Sequence, residues 1–408
     1  MKLKTDKNFS IENVISKQRI AKSFLKKKYD QFDKILNLIN YKKNESKNFY
    51  NLFNKNFLKN FDFKKLNKYK SFKSIIIIGM GGSTLGLQAM CSFLQHKFKK
   101  EIIFLDNLDL NLNRKLLKNK KIKNSLFIFI SKSGSTIETL TNINFLNKIK
   151  FSKKNTIVIT EKRDNPLYDF CIKNKLMLIE HKKYIGGRYS ILSEVGLVPA
   201  YIIGLNIKNF RKNINKYLLS KNKITFYKNL IETLKIYSNK KIKSMIFMNY
   251  TPELDNTVFW CQQLISESLG KNGIGVLPVL SKGPKDHHSL LQLYLDGPKD
   301  KVFYIFSSLE KEKTNIKRNF FSKKLKFLNN KKMIQIKNAQ REAFVKILAK
   351  KKIPYKTIRI NKISEEGLGD FFSFFMLETV ILGLSMKINP FDQPAVEEVK
   401  ILTKKTLI

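Results

Sequence analysis

The chain has 408 residues, enough for two or three domains with cores of their own, and its 43% apolar and 12% aromatic content excludes a disordered polymer. Lys and Arg number 79 against 32 Asp and Glu, a formal charge of +47, yet the lysines run from Lys2 to Lys405 with no separate basic arm and no zinc-finger spacing, so no nucleic-acid partner is expected. Cys91, Cys171 and Cys261 lie far apart without a C-x-x-C pair, Met1 to Ser10 lacks the apolar core of a signal peptide, and no run approaches the roughly 18 apolar residues of a membrane span. The expectation is a cytoplasmic protein with reduced thiols, no metal site and no membrane segment.

In chain order, a largely helical lead is expected over residues 1–60. Short apolar runs then alternate with helical stretches, the pattern of parallel sheets covered on both faces by helices. The candidate strands are Ser74–Ile78, Glu101–Leu105, Leu126–Ile130, Thr156–Thr160 and Leu176–Glu180, then Ser244–Asn249, Gly275–Leu280, Lys301–Ser307 and Tyr355–Ile360. The fold class is therefore α/β, with two doubly wound units over 61–215 and 216–386 and a C-terminal helix within 387–408.

Both Gly-rich turns of the first unit follow an apolar run, where doubly wound sheets bind ligands. Gly79-Met80-Gly81-Gly82-Ser83-Thr84-Leu85-Gly86 has Thr84 where a dinucleotide fingerprint needs its third glycine, and no G-x-x-x-x-G-K-[ST] is present, so neither a dinucleotide nor a nucleoside triphosphate is indicated. The second turn, Ser131-Lys132-Ser133-Gly134-Ser135-Thr136-Ile137-Glu138-Thr139, brings hydroxyls and one lysine to the start of a helix. Unpaired helix N-H groups, hydroxyls and a point charge suit a phosphate monoester, although Ser135-Thr136-Ile137-Glu138 also reads as a capping box. Two such turns point to one phosphorylated small molecule held between them.

Tyr184-Ile185-Gly186-Gly187-Arg188-Tyr189-Ser190 sets an arginine behind paired glycines, where a fixed planar cation can meet a developing anion or simply face solvent. Glu267 lies near the end of a helix closed by Gly270-Lys271. Asp286-His287-His288-Ser289 holds the only histidine pair among four histidines, and adjacent histidines face different ways, so one of them at most reaches a substrate. Gln393 and Lys400, seven residues apart, share a face of the last helix.

Taken in order, I-G-M-G-G-S, S-K-S-G-S-T-I-E-T, G-G-R-Y-S, E-S-L-G-K, D-H-H-S with D-G-P after it, and Q-P-A-V-E-E-V-K resemble the phosphoglucose isomerase family from about Ser74 to Lys400. The resemblance implies two sugar-isomerase (SIS) domains, interconversion of glucose 6-phosphate and fructose 6-phosphate through an enediolate, no cofactor, and a homodimer with shared active sites. It assigns phosphate binding to Ser83, Ser131, Lys132, Ser133 and Thr136, enediolate stabilisation to Arg188, the C1–C2 proton shuttle to Glu267, and ring opening to Lys400 and a partner-subunit histidine. Gly187 and Gln393 line the same site. His288 is taken over His287 because it directly precedes Ser289. Ser133 and Ser135 replace common threonines of the family and Ala395 a common glycine. A dual isomerase that also accepts mannose 6-phosphate is the alternative within enzymes. A sugar-phosphate sensor without turnover is the alternative outside them, and the acid/base set of Glu267, His288, Arg188 and Lys400 speaks against it.

Overall fold

Runs such as Leu126–Ile130 and Thr156–Thr160, buried at every position, can only be strands covered on both faces. In the computed structural model, which describes residues 8–14, 22–309 and 323–408, they form the centre of a parallel sheet. The N-terminal residues 1–7, on which part of the signal-peptide reading rests, lie outside the described residues, as do 15–21 and 310–322.

The chain begins with β1 (Phe9–Val14) and α1 (Lys22–Lys42), and 3-10 turns then lead into the first unit. That unit comprises β2 (Ser74–Gly79), α2 (Leu85–Phe93), β3 (Glu101–Leu105), α3 (Leu110–Lys118), β4 (Leu126–Ile130), α4 (Ile137–Phe145), β5 (Thr156–Thr160), α5 (Pro166–Lys173) and β6 (Met177–Glu180). Helices α6 (Glu194–Ile203), α7 (Ile207–Phe210) and α8 (Ser220–Ser238) connect it to the second unit. There follow β7 (Ser244–Asn249), α9 (Asp255–Leu269), β8 (Leu277–Lys282), α10 (Leu291–Asp296), β9 (Lys301–Ser308), α11 (Met333–Lys350), β10 (Tyr355–Ile360), α12 (Glu365–Ser385) and α13 (Ala395–Thr406).

Strand order is β3-β2-β4-β5-β6 in the first sheet and β1-β10-β9-β7-β8 in the second. Every pairing is parallel except β1 with β10. The chain leaves β2 in one direction to form β3 and returns on the other side as β4, so a crevice opens between β2 and β4 at their C-terminal ends. The equivalent point between β7 and β9 is filled: the Thr251 hydroxyl oxygen accepts from Ser308 N at 2.9 Å and lies 3.2 Å from Ser308 Oγ, both residues buried. The open crevice therefore belongs to the first sheet.

Two expectations change. The lead is not helical throughout, because Phe9–Val14 is an edge strand whose partner, β10, comes from the far end of the chain. Nothing local marks such a strand; Ile11, at 5% exposure, is the residue it contributes to the core. The strand expected over Gly275–Leu280 runs Leu277–Lys282, since Gly273 and Gly275 take positive φ (70° and 154°) and make the turn before it.

One apolar cluster runs through both units, with α12 at its centre. By length and composition α12 is apolar enough to cross a membrane, but 94% of its most apolar window is buried inside the fold, as in a core helix. Helix α9 of the second unit packs on α2 of the first, and this contact brings the end of α9 to the β2–β4 crevice.

Candidate active site

At the crevice, α2 and α4 both start without a side-chain cap, from Thr84 and Thr136 respectively. The capping-box reading of Ser135–Glu138 thus fails locally: Thr136 Oγ1 lies instead 2.9 Å from Ser131 Oγ, which accepts from Gly134 N at 3.1 Å. Ser133 Oγ accepts from Ser135 N at 3.3 Å and from Ser135 Oγ at 3.2 Å. The loop curls into a cup of hydroxyls below free helix N-H groups, a ready site for an anion. Its shape requires Gly134, whose φ is +69° and where a Cβ would lie 1.6 Å from Asn165 Oδ1. Asn165 is itself fixed as the cap of α5.

Lys132 stands half-buried beside the cup, 3.9 Å from Glu161 Oε1. Burial lowers its ammonium below the usual lysine range and Glu161 partly restores it, so a dianion arriving there would strengthen the charged form. Behind this loop His181 Nδ1 sits 3.6 Å from Glu194 Oε1, both groups shut off from solvent. Burial pushes the Glu194 carboxyl up to about 7 and the His181 imidazole down to about 4, and the charge of Lys132 adds to the second effect.

The first turn meets the G-G-R segment backbone to backbone. A Cβ on Gly82 would lie 2.2 Å from the Gly187 carbonyl carbon and 2.5 Å from Arg188 N, while Ser190 Oγ donates to Gly187 O at 2.7 Å or to Gly82 O at 3.2 Å. Ser83 lies half-buried on this turn. The contact threads Arg188 into the interior, where it is 1% exposed and all five of its N-H donors are used. Nε donates to Ser268 Oγ at 2.7 Å, one terminal nitrogen to Glu267 Oε2 at 3.1 Å and to Gln393 Oε1, and the other to the carbonyls of Pro390 at 2.7 Å and Asp392 at 3.0 Å. Trp260 Nε1 donates to Arg188 O at 3.0 Å, and Tyr189 OH is shared between Ser268 Oγ at 2.9 Å and Pro390 O at 2.8 Å.

Glu267 reaches this cluster from the end of α9 and keeps 28% of its side chain exposed. Its second oxygen accepts from Gln263 Nε2 at 2.9 Å, so the carboxylate is held at both ends and still faces the crevice. Gln263 escaped the sequence reading, although it lies one helical turn before Glu267, on the same face. Ser268 escaped it too, despite standing inside the E-S-L-G-K motif.

Arg188, Glu267, Gln393 and Gly187 are thus brought together beside the turns that follow β2 and β4. His288 and Lys400 are not. His288 is exposed on the turn Lys285–His288, and no contact among the described residues joins it to Glu267 or Arg188. His287 is engaged by the fold, with Nε2 2.6 Å from Tyr250 OH and its ring on Phe344, and burial lowers its pKa. Lys400 Nζ pairs with Glu397 Oε1 at 2.7 Å on α13, a helix with no buried residue.

Fold and site together define a class, a doubly wound α/β protein whose sheet switch point carries uncapped helix N-termini, a part-exposed carboxylate and a fixed guanidinium. Residues 45–407 match the phosphoglucose isomerase family. The chain is 33% identical over 359 residues to the probable glucose-6-phosphate isomerase of Methanococcus maripaludis, covering 84% of this chain and 81% of that one. It is 31% identical over 351 residues to the glucose-6-phosphate isomerase of Methanocaldococcus jannaschii, covering 83% and 86%. Among solved structures, a hypothetical protein of Thermus thermophilus superposes with a TM-score of 0.84 at 25% identity, over 94% of this chain and 96% of that one. A glucose-6-phosphate isomerase of Chlamydia trachomatis shares the fold, with a TM-score of 0.77 at 17% identity over 99% and 89%. The chain belongs to the phosphoglucose isomerase family, and its reaction class is aldose–ketose isomerisation of a sugar phosphate.

Proposed function

We propose that the chain interconverts glucose 6-phosphate and fructose 6-phosphate in the cytoplasm by proton transfer through Glu267, with Arg188 stabilising the enediolate. The observation that carries this assignment is the 3.1 Å contact between a fully buried, fully hydrogen-bonded arginine and a carboxylate that still faces the crevice. Ser83, Ser131, Lys132, Ser133 and Thr136 hold the phosphate, and Gly187 and Gln393 line the sugar.

The charge balance follows from that geometry. Glu267 takes the C2 proton of the open aldose and becomes neutral as the same unit of negative charge appears on the enediolate oxygen. The Arg188 N-H that served Glu267 is released as an anion forms next to it, so the cation is satisfied before and after transfer. Once the O2 hydroxyl proton has passed to O1 within the enediolate, returning the carbon-bound proton to C1 gives the C2 ketone and restores the ion pair. No net proton is consumed.

Ring opening is assigned to Lys400 and to His288 of a second copy in a homodimer. Two observations support this reading: His288 is exposed and makes no contact with Glu267 among the described residues, and α13 leaves Val396, Val399 and Leu402 in solvent at 41%, 67% and 61% exposure. His287, already bonded to Tyr250, is the less available of the doublet.

Glu267→Gln tests the base. The amide oxygen keeps the bond from Arg188, and its NH2 can donate to Gln263 Oε1 once that amide turns over, but the group cannot take a carbon-bound proton, so turnover should fall about 10²- to 10⁴-fold with little change in the thermal midpoint. Near wild-type turnover would remove Glu267 from the role.

A further inference from the structure

Arg188 owes three of its five acceptors to one short segment, Pro390 to Gln393, between α12 and α13. What holds that segment therefore holds the guanidinium. Asn389 contributes internally, its Oδ1 accepting from Phe391 N at 3.0 Å and its Nδ2 donating to Asp392 Oδ2 at 2.8 Å. The Phe391 ring leans on Phe49 with a centroid separation of 4.8 Å. The link to the rest of the site is Lys271, two residues beyond the end of α9, the helix that carries Glu267. Its ammonium donates to Asn389 O at 2.5 Å, Asp392 O at 2.5 Å and Asp392 Oδ1 at 2.6 Å, which uses all three protons, and its side chain is only 12% exposed.

We infer that Lys271 is a positioning residue for the isomerase reaction, clamping the Asn389–Asp392 segment to the end of α9 so that Arg188 is held at the place where the enediolate charge forms. This rests on the assignment of Arg188 to the enediolate. The Asp392 carbonyl oxygen is the joint, accepting from Lys271 Nζ on one side and from an Arg188 terminal nitrogen on the other. The carboxylate half of the contact is secondary. Asp392 is half exposed, its pKa is held down mainly by the hydrogen bond from Lys271, and partly exposed ion pairs contribute little. The two carbonyl bonds carry the clamp, because a carbonyl cannot be screened by salt or protonated away.

Without the ammonium, two backbone carbonyls lose a donor and the segment is free to drift from α9. Arg188 stays anchored by Ser268 and Glu267 but loses its fixed direction. A displacement of about 1 Å at a group that acts in the transition state can cost on the order of 10²-fold in rate. Ground-state binding through the phosphate cup lies elsewhere and should be spared.

The test uses two competitive inhibitors that share the phosphate and differ in charge at the reacting end, a hydroxamate analogue of the enediolate and a neutral polyol phosphate of the same chain length. Their ratio of inhibition constants does not depend on the fraction of active protein. For Lys271→Met, the hydroxamate constant should rise about tenfold or more, in step with the loss in kcat/KM, while the polyol constant stays within about twofold. Lys271→Arg, which restores donors to both carbonyls, should recover most of the hydroxamate affinity. Both constants unchanged, or both raised together, would overturn the clamp. Lys271→Gln supports the same comparison if the methionine variant does not fold. Arg188→Lys separates the two levels: if it leaves the hydroxamate preference intact, the role of Arg188 fails. If it abolishes the preference and Lys271→Met does not weaken it, only the clamp fails.

Discussion

At the scale of single residues, the site is governed by how each charge is accommodated away from water. Arg188 is buried with an acceptor for every N-H, which offsets the cost of taking its charge out of water. Glu194 is the opposite case, since Oε2 has no partner among the described residues and burial raises its pKa to about 7 from an ordinary 4.5. The folded state therefore binds a proton that the unfolded state has released, and stability is lost as pH rises from about 4.5 through about 7. His181, lowered to about 4 from 6.5, acts in reverse, its cost present at low pH and gone above about 6.5. Glu194→Gln keeps the acceptor for Lys182 N and removes only the first effect. Its stability gain over the wild type should be near zero at pH 4.5 and reach roughly 3 kcal/mol by pH 8, as read by urea unfolding at both values. An equal effect at the two pH values would contradict the assignment of the raised pKa.

At the scale of elements, the site is a meeting of turns. The glycine turn after β2 lies against Gly187–Arg188 so closely that no side chain fits between them. Gly82→Ala must push Arg188 out of place or open the turn, and should lower kcat about 10²-fold and cost about 1–3 kcal/mol of stability. Unchanged activity would mean that the approach of the two turns is dispensable. The sequence exposed much of this level, because short, largely apolar runs between helical stretches mark parallel strands and glycines after them mark close turns. Thus Glu101–Leu105, Leu126–Ile130, Thr156–Thr160, Ser244–Asn249 and Tyr355–Ile360 have the observed limits. Strand β1 was not legible, since an edge strand exists only through its partner more than three hundred positions away. For the same reason Gln263 was within reach of helical spacing, whereas Ser268, Lys271 and the carbonyls of Pro390 and Asp392 were not. Their importance comes from where α9 and the α12–α13 connection meet, which no local pattern encodes.

At the scale of the whole molecule, the chain assembles one open site from both sheets. Helix α9 crosses to α2 and delivers Glu267, the connection after α12 delivers Gln393, and the first sheet supplies the hydroxyl-lined loop after β4. His288 and Lys400 stay outside this set, and a second copy of the chain is the proposed remedy for the histidine. Inactive Glu267→Gln and inactive His288→Ala proteins should then complement each other after mixing and subunit exchange. Half of the dimers would be mixed, each with one intact site, and activity would recover to about one quarter of wild type. No recovery after demonstrated exchange would place the histidine in its own subunit's site or outside the reaction. The most direct test of the central assignment is NMR of fructose 6-phosphate turnover in D₂O containing EDTA. Proton transfer through Glu267, with exchange of its acquired proton against solvent, predicts glucose 6-phosphate with at least partial deuterium at C2, and mannose 6-phosphate beside it would extend the specificity to both epimers. Aldose phosphate that still carries only hydrogen at C2 after many turnovers, or no conversion while the sugar is bound, would contradict the account.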